Sequence, residues 1–256
     1  ARNIESPEQL RALSAELQGL SPELPLLIAV DHEGGRVQRL QPPRFQGFPT
    51  SASIGERFAQ DGEGEAVRAL AQQLGEELAS VGVNLDFAPV LDVHTNPRNP
   101  VIGDRAFGSD PELVGTAGSW FAQGLREAGV IPCGKHFPGH GDTLLDSHRA
   151  LPVVTHPRER LETIELAPFR AAIADGLECL MTAHVLYPAL DPDRPATLSP
   201  AILRDLLRGA LGYEGVIVTD DLAMKGISAQ HDLLDAGLLA LQAGCAMPPY
   251  KKSKDL

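Results

Sequence analysis

Residues 215–222 read GVIVTDDL. A glycine is followed by four β-branched residues that run directly into two aspartates, Asp220 and Asp221. An unbroken run of this kind suits a parallel strand buried on both faces. A carboxylate at its end has no packing role unless it is paired or reactive. The arrangement recurs upstream. Strands are expected at 26–30, 85–88, 130–133 and 177–182, with a weaker one near Cys245. The first is followed by Asp31, and Asp92 lies just beyond the second. Lys135 and His136 follow the third, and His184 follows the fourth.

Between these runs lie longer amphipathic stretches, expected as helices at 7–17, 64–81, 111–128, 157–175, 200–211 and 233–243. Ser6-Pro7, Asp110-Pro111 and Ser199-Pro200 each place a capping side chain before a proline, which loses no hydrogen bond at the first helical position. Gly82, Gly129, Gly176 and Gly244 close four of the helices. Strand and helix alternate, and every strand ends in polar chemistry. In a (β/α)8 barrel of the TIM type all strand ends meet at one face, whereas a doubly wound sheet collects ligands mainly at one switch point. Five polar strand ends out of five favour the barrel.

A closed barrel needs eight strands, and six are legible. The chain opens on ARNIESPEQL, which reads as the end of a βα loop, as though one or two strands precede it. At the far end AMPPYKKSKDL breaks an apolar strand with two prolines and turns basic. The expectation is therefore a single barrel domain over residues 1–247, incomplete at both ends in this sequence, and a tail over 248–256.

Composition sets the background. Of 256 residues, 43% are apolar, enough for a sizeable core. The net charge of −12 argues against a nucleic-acid footprint, since the one lysine cluster, Lys251, Lys252 and Lys254, falls in the tail. No apolar run reaches the length of a membrane span and the first residues do not resemble a secretory signal, so a cytoplasmic location is expected. Cys133, Cys179 and Cys245 lie far apart in sequence, each in or beside an apolar run, which points to buried free thiols.

The densest chemistry is in KHFPGHGDTLLDSH, residues 135–148, where three histidines, two aspartates and a lysine share fourteen positions. A buried segment could not satisfy so many ionisable groups without a purpose. The spacing of His136 and His140 suits a helical zinc pair, but Pro138 and Gly139 lie between them and disfavour that helix. Asp146 and His148 are close enough for the carboxylate to orient the imidazole and raise its proton affinity, the arrangement of a general acid and base. A local loop hydrogen bond is the plainer alternative. In IAVDHEGGRVQRL, residues 28–40, Asp31 with Arg36 and Arg39 suits a polyhydroxylated ligand, unless the charges merely pair to hold the loop. Arg105 sits in GDRAFG, between Asn96 and Pro111. Asp220 is assigned the chemistry of its strand end, and Asp221 a supporting or capping role.

Taken in order, VDHEGGRVQR, NLDFAPVLDV, IGDRAF, GKHFPGHG with DSH, MTAHVLYPALD and VTDDLAM resemble glycoside hydrolase family 3. Within it they resemble the bacterial β-N-acetylglucosaminidases of cell-wall recycling. The resemblance implies a (β/α)8 barrel, a retaining mechanism through a covalent glycosyl-enzyme, and no metal or cofactor. It makes Asp220 the nucleophile and His148 the acid/base, assisted by Asp146 on a mobile loop that Gly139 and Gly141 allow to close. Asp31, Arg39, Arg105, Lys135 and His136 are then the positions that hold a non-reducing N-acetylglucosamine, and cell-wall (muropeptide) fragments are the expected substrates.

Other readings stay open at this point. A metal-dependent hydrolase would use His136, His140, Asp142 and His148. A non-catalytic sugar-binding barrel would use Asp220 only to accept hydrogen bonds. A phosphorylase or a β-glucosidase of the same family would share the site.

Overall fold

The computed structural model describes residues 3–247. Helix α1 (Pro7–Gly19) leads into β1 (Ala29–Val30) and a small hairpin, β2 (His32–Gly34) and β3 (Val37–Gln38). Helices α2 (Ser51–Asp61) and α3 (Gly64–Ser80) precede β4 (Leu85–Asp86), and α4 (Pro111–Glu127) precedes β5 (Ile131–Phe137). The short α5 (Arg158–Arg160) passes through a π-helical turn, Leu161–Glu165, into α6 (Ala167–Ala174) and β6 (Cys179–Thr182). A second π-helical segment, Ala201–Ala210, precedes β7 (Val216–Thr219), and α7 (Lys225–Ser228) and α8 (Leu233–Ala243) complete the described chain.

The five main strands pair in parallel in the order β1-β4-β5-β6-β7, each beside its predecessor in the series. A doubly wound sheet reverses its order at the centre, so this succession is that of a barrel wall. The ring is not closed among the described residues. The weak strand near Cys245 is reduced to one parallel bridge, Val218 to Met247, held by Ala246 N–H to the Ile217 carbonyl at 2.8 Å. Five short strands and a bridge span only part of the circumference that eight strands enclose. The barrel expected to be incomplete in this sequence takes the form of an open parallel arc among the described residues. The tail 248–256, with its lysine cluster, lies outside the described residues.

Local signals hold well. Ser6, Asp110 and Ser199 each accept a hydrogen bond from a backbone N–H of the first turn, at 3.1, 2.9 and 3.1 Å. Gly129 and Gly176 follow α4 and α6 with φ of 80° and 78°, which an L side chain rarely adopts. The helix expected over 157–175 is interrupted because Leu166 N–H bonds five residues back to Leu161 rather than four. Helix α2 and the β2–β3 hairpin were not expected, since neither carries an apolar run. Strand β5 extends to Phe137, so Lys135 and His136 lie within it, just before its end, and not in the following loop.

Two large apolar clusters fill the space between the sheet and its helices, one beneath α1 to α4 and one beneath the later helices. A third occupies the concave side, where Leu85, Cys133, Cys179, Met181 and Val218 stack from adjacent strands. Cys133 and Cys179, distant in sequence, are register partners on β5 and β6. All three cysteines are buried free thiols. Among the described residues no helix is long and apolar enough to cross a membrane.

Candidate active site

Parallel strands of one arc deliver their carboxyl ends to one rim, and the polar residues collect there. Asp31, Arg39, Arg105, Lys135, His136, Asp146, His148 and Asp220 all line a single cavity of about 770 Å³. The cavity also runs beneath α1 along Leu10, Leu13 and Leu17, so its polar end at the strand termini is only part of that volume.

The first group of charges surrounds Lys135, which is 1% exposed. Its Nζ lies 2.6 Å from Glu33 Oε1 and 3.2 Å from Asp31 Oδ1. Arg105 grips the same Glu33 through both carboxylate oxygens, Nε to Oε2 and Nη2 to Oε1, each at 2.8 Å. Burial opposes every one of these charges. The mutual attraction outweighs it, holding the Asp31 and Glu33 carboxyls below the ordinary range and the Lys135 and Arg105 cations above theirs. Arg39 reaches Asp31 more loosely, at 3.4 Å, and is 40% exposed along its side chain. Arg36 serves the neighbouring loop: its guanidinium donates to Asp104 at 2.7 Å and to the Val101 carbonyl at 2.6 Å.

The second group is organised by Asp92. Its Oδ2 sits 2.7 Å from His136 Nδ1, and its Oδ1 accepts the backbone N–H groups of His136 and His140 at 3.2 and 2.6 Å. A carboxylate only accepts, so His136 carries its proton on Nδ1 and presents Nε2 away from Asp92. His140 packs behind it. Its ring nitrogens face Thr143 Oγ1 at 2.8 Å and Ser147 Oγ at 3.1 Å, and burial pulls its pKa down to about 4.

Asp220 follows β7 directly. Burial alone would raise its carboxyl pKa, but the His184 and His136 rings, the Asp221 N–H at 2.8 Å and the Lys135 ammonium together hold it below the ordinary range. At the rim stands the other half of the arrangement. Asp146 Oδ1 accepts both the backbone N–H of His148, at 2.9 Å, and its Nδ1, at 2.8 Å. Slight burial raises the Asp146 pKa, but these two hydrogen bonds together with the nearby His148 and Arg149 charges hold it below the ordinary range. With Nδ1–H committed to the carboxylate, Nε2 is the nitrogen of His148 left outside this pairing, and the side chain is 63% exposed.

The loop that bears His148 is clamped at its base. A Cβ on Gly141 would lie 1.8 Å from the Val93 carbonyl oxygen, and Asn99 Nδ2 donates to the carbonyls of His140 and Gly141 at 2.8 and 3.1 Å. Tyr187 donates its hydroxyl proton to the Gly139 carbonyl. Gly139 and Gly141, where the sequence reading expects a hinge, are thus held by contacts at the base of the loop. Asp142 completes the clamp by binding Thr95 at 2.9 Å and His156.

These pairings do not favour the metal reading. His136 faces Asp92, His140 faces two hydroxyls, Asp142 faces His156, and His148 faces Asp146. Among the described residues no group of three or more His, Cys, Asp or Glu is placed to hold a metal ion. Sequence reading missed the part played by Glu33. It also gave Asp92 no partner, although its place beyond a strand was the available signal.

Comparison with known proteins agrees with this geometry. Residues 1–254 match the glycosyl hydrolase family 3 N terminal domain. The chain is 45% identical over 251 residues to the β-hexosaminidase of Methylococcus capsulatus, spanning 96% of this chain and 72% of that one. It is 41% identical over 260 residues to β-hexosaminidase A of Pseudoalteromonas piscicida, of which it spans 43%. In structure it superposes on the family 3 β-N-acetylglucosaminidase of Paenibacillus sp. str. FPU-7 with a TM-score of 0.91 at 46% identity, covering 97% of this chain and 47% of that chain. It superposes on NagZ from Neisseria gonorrhoeae, solved in complex with N-trifluoroacetyl-D-glucosamine, with a TM-score of 0.88 at 38% identity, covering 97% and 71%. The chain thus belongs to glycosyl hydrolase family 3, a family of glycoside hydrolases, and corresponds to its N-terminal, TIM-like domain.

Proposed function

We propose that this domain carries the active site of a retaining exo-β-N-acetylglucosaminidase that removes non-reducing N-acetylglucosamine from cell-wall (muropeptide) fragments in the cytoplasm. The observation that carries the reading is the sharing of one cavity by a buried, ionised Asp220 and a rim-mounted Asp146–His148 pair. Retention needs a carboxylate on one side of the anomeric carbon and a proton donor on the other. An Asp220 oxygen attacks the anomeric carbon while the glycosidic C–O bond breaks, and His148 Nε2–H gives its proton to the departing oxygen. Water then attacks the glycosyl-aspartate ester, and the same nitrogen takes the water proton as the sugar leaves. Asp31, Arg39, Arg105, Lys135 and His136 orient the ring through its hydroxyls, and their mutual pairing preorganises them for it. The β-hexosaminidase relatives and the sugar-analogue complex of NagZ support the sugar assignment.

The test is release of p-nitrophenol from the β-N-acetylglucosaminide and the β-glucoside by wild type, Asp220→Ala and His148→Ala, with and without EDTA and phosphate. EDTA-insensitive turnover of the N-acetylglucosaminide is expected. Asp220→Ala should abolish it, and His148→Ala should lower it by roughly 10²–10⁴-fold. Binding without turnover by folded wild-type protein would reduce the site to a sugar-binding one, and an absolute requirement for phosphate would make it a phosphorylase.

A further inference from the structure

His184 lies two residues beyond β6 and is fully buried, and beyond its electrostatic effect on Asp220 it has been given no role so far. Its Nε2 is 3.1 Å from the backbone carbonyl oxygen of Asp221, and its Nδ1 is 2.7 Å from Thr197 Oγ1. That hydroxyl is in turn 2.8 Å from Thr182 Oγ1 and 3.0 Å from the Ala183 carbonyl. The protons of this chain can be placed by elimination. A carbonyl cannot donate, so Nε2 bears hydrogen. Burial lowers the His184 pKa and favours the neutral ring, which leaves Nδ1 bare. Thr197 then shares its only hydroxyl proton between Nδ1 at 2.7 Å and the Ala183 carbonyl at 3.0 Å, and Thr182 can donate to Thr197. The alternative neutral tautomer would set a bare Nε2 against the Asp221 carbonyl, two acceptors facing each other in a buried site.

The far end of the relay is the turn that bears the nucleophile. The Asp221 carbonyl also accepts Met224 N–H at 2.9 Å, and the Asp221 N–H donates to Asp220 Oδ1 at 2.8 Å. One residue is thus fixed at both of its backbone groups, and one of them points at the attacking carboxylate.

We propose that His184, with its tautomer set by Thr197, is a positioning residue for the nucleophile. It locks the Asp221 backbone so that Asp220 keeps one oxygen bound and offers the other to the anomeric carbon. The inference rests on the reading of Asp220 as nucleophile and deepens it. In this role His184 acts as a hydrogen-bond donor to the Asp221 backbone.

The experiment measures kcat and KM on the p-nitrophenyl N-acetylglucosaminide, and the pre-steady-state burst of p-nitrophenol, for Thr197→Val, Thr197→Ser, His184→Gln and Asp220→Ala. Circular dichroism establishes that each is folded. Thr197→Val should lower kcat and the burst rate by about 10–10²-fold with KM changed less than about 3-fold, the cost expected of a misplaced reacting group. Thr197→Ser, which keeps the donor, should restore the rate to within about 3-fold of wild type, an outcome a merely structural role would not require. If Thr197→Val does not fold, Thr197→Ala takes its place against the same serine control. Folded Thr197→Val and His184→Gln proteins with wild-type burst rates would overturn the inference, as would a serine variant no faster than the valine one. An active Asp220→Ala would instead overturn the parent reading, so the two failures are distinguishable.

Discussion

Glu33 Oε1 lies 2.6 Å from Lys135 Nζ, and both side chains are almost entirely buried. The same carboxylate holds Arg105 by both oxygens, so one acid positions two of the cations assigned to the sugar. Removing it leaves two buried cations without their shared partner, and breaking such a pair typically costs about 3–5 kcal/mol. Glu33→Ala should lower the free energy of unfolding by an amount of that order in urea titrations. Glu33→Gln, which keeps the shape and removes the charge, should lower kcat/KM by roughly 10²-fold, chiefly through KM if Lys135 and Arg105 bind the sugar in its ground state.

Asp146 governs which nitrogen of His148 is free. Asp146→Asn keeps the size but lets an amide N–H face Nδ1, which can reverse the tautomer and remove the charge that stabilises the imidazolium. Turnover should fall by about 10²–10⁴-fold while binding of N-acetylglucosamine changes little. Substrates with an activated leaving group need less protonation, so a p-nitrophenyl substrate should lose less than an alkyl glycoside. Equal losses on both would argue that Asp146 shapes the loop without tuning the acid.

The clamp at the base of the loop predicts an intolerant glycine. A Cβ on Gly141 meets the Val93 backbone at 1.8 Å, and backbone cannot swing aside as a flexible side chain would. Gly141→Ala should cost about 1–3 kcal/mol or more in stability and displace His148. Thermal unfolding with activity on the same samples checks both. Gly62 meets nothing within 4 Å but has φ of 68°, so Gly62→Ala should cost less, through backbone conformation alone.

Acid should weaken the site through His140. Its folded pKa, about 4, lies below the unfolded value near 6.5, so the unfolded chain binds the extra proton between those two values. The stability contributed by the neutral ring is complete above about pH 6.5 and is lost as pH falls toward 4. His140→Gln cannot titrate, so its stability should change less steeply in that window, by up to one proton, or about 1.4 kcal/mol per pH unit. Parallel urea titrations from pH 4 to 7 would show it, and identical slopes for the two proteins would refute it.

Sequence alone determined much of the framework because its signals are local. The β-branched run at 216–219 gives β7, Asp110-Pro111 gives the start of α4, and Leu233–Ala243 is helical over the range its pattern predicts. Polar residues just past apolar runs marked the site, and all eight named residues line one cavity. Helix α2, the hairpin and the two π-helical stretches escaped because their bonds depend on neighbours that supply the burial. Only the tertiary structure decided that Glu33 joins Lys135 and Arg105, that Asp92 orients His136, that Gly141 is pinned by Val93, and that the arc stays open among the described residues. These partners lie tens of residues apart and meet through strand register and the angle between successive βα units. Periodicity records which face a side chain takes, whereas register is settled by how the whole wall packs.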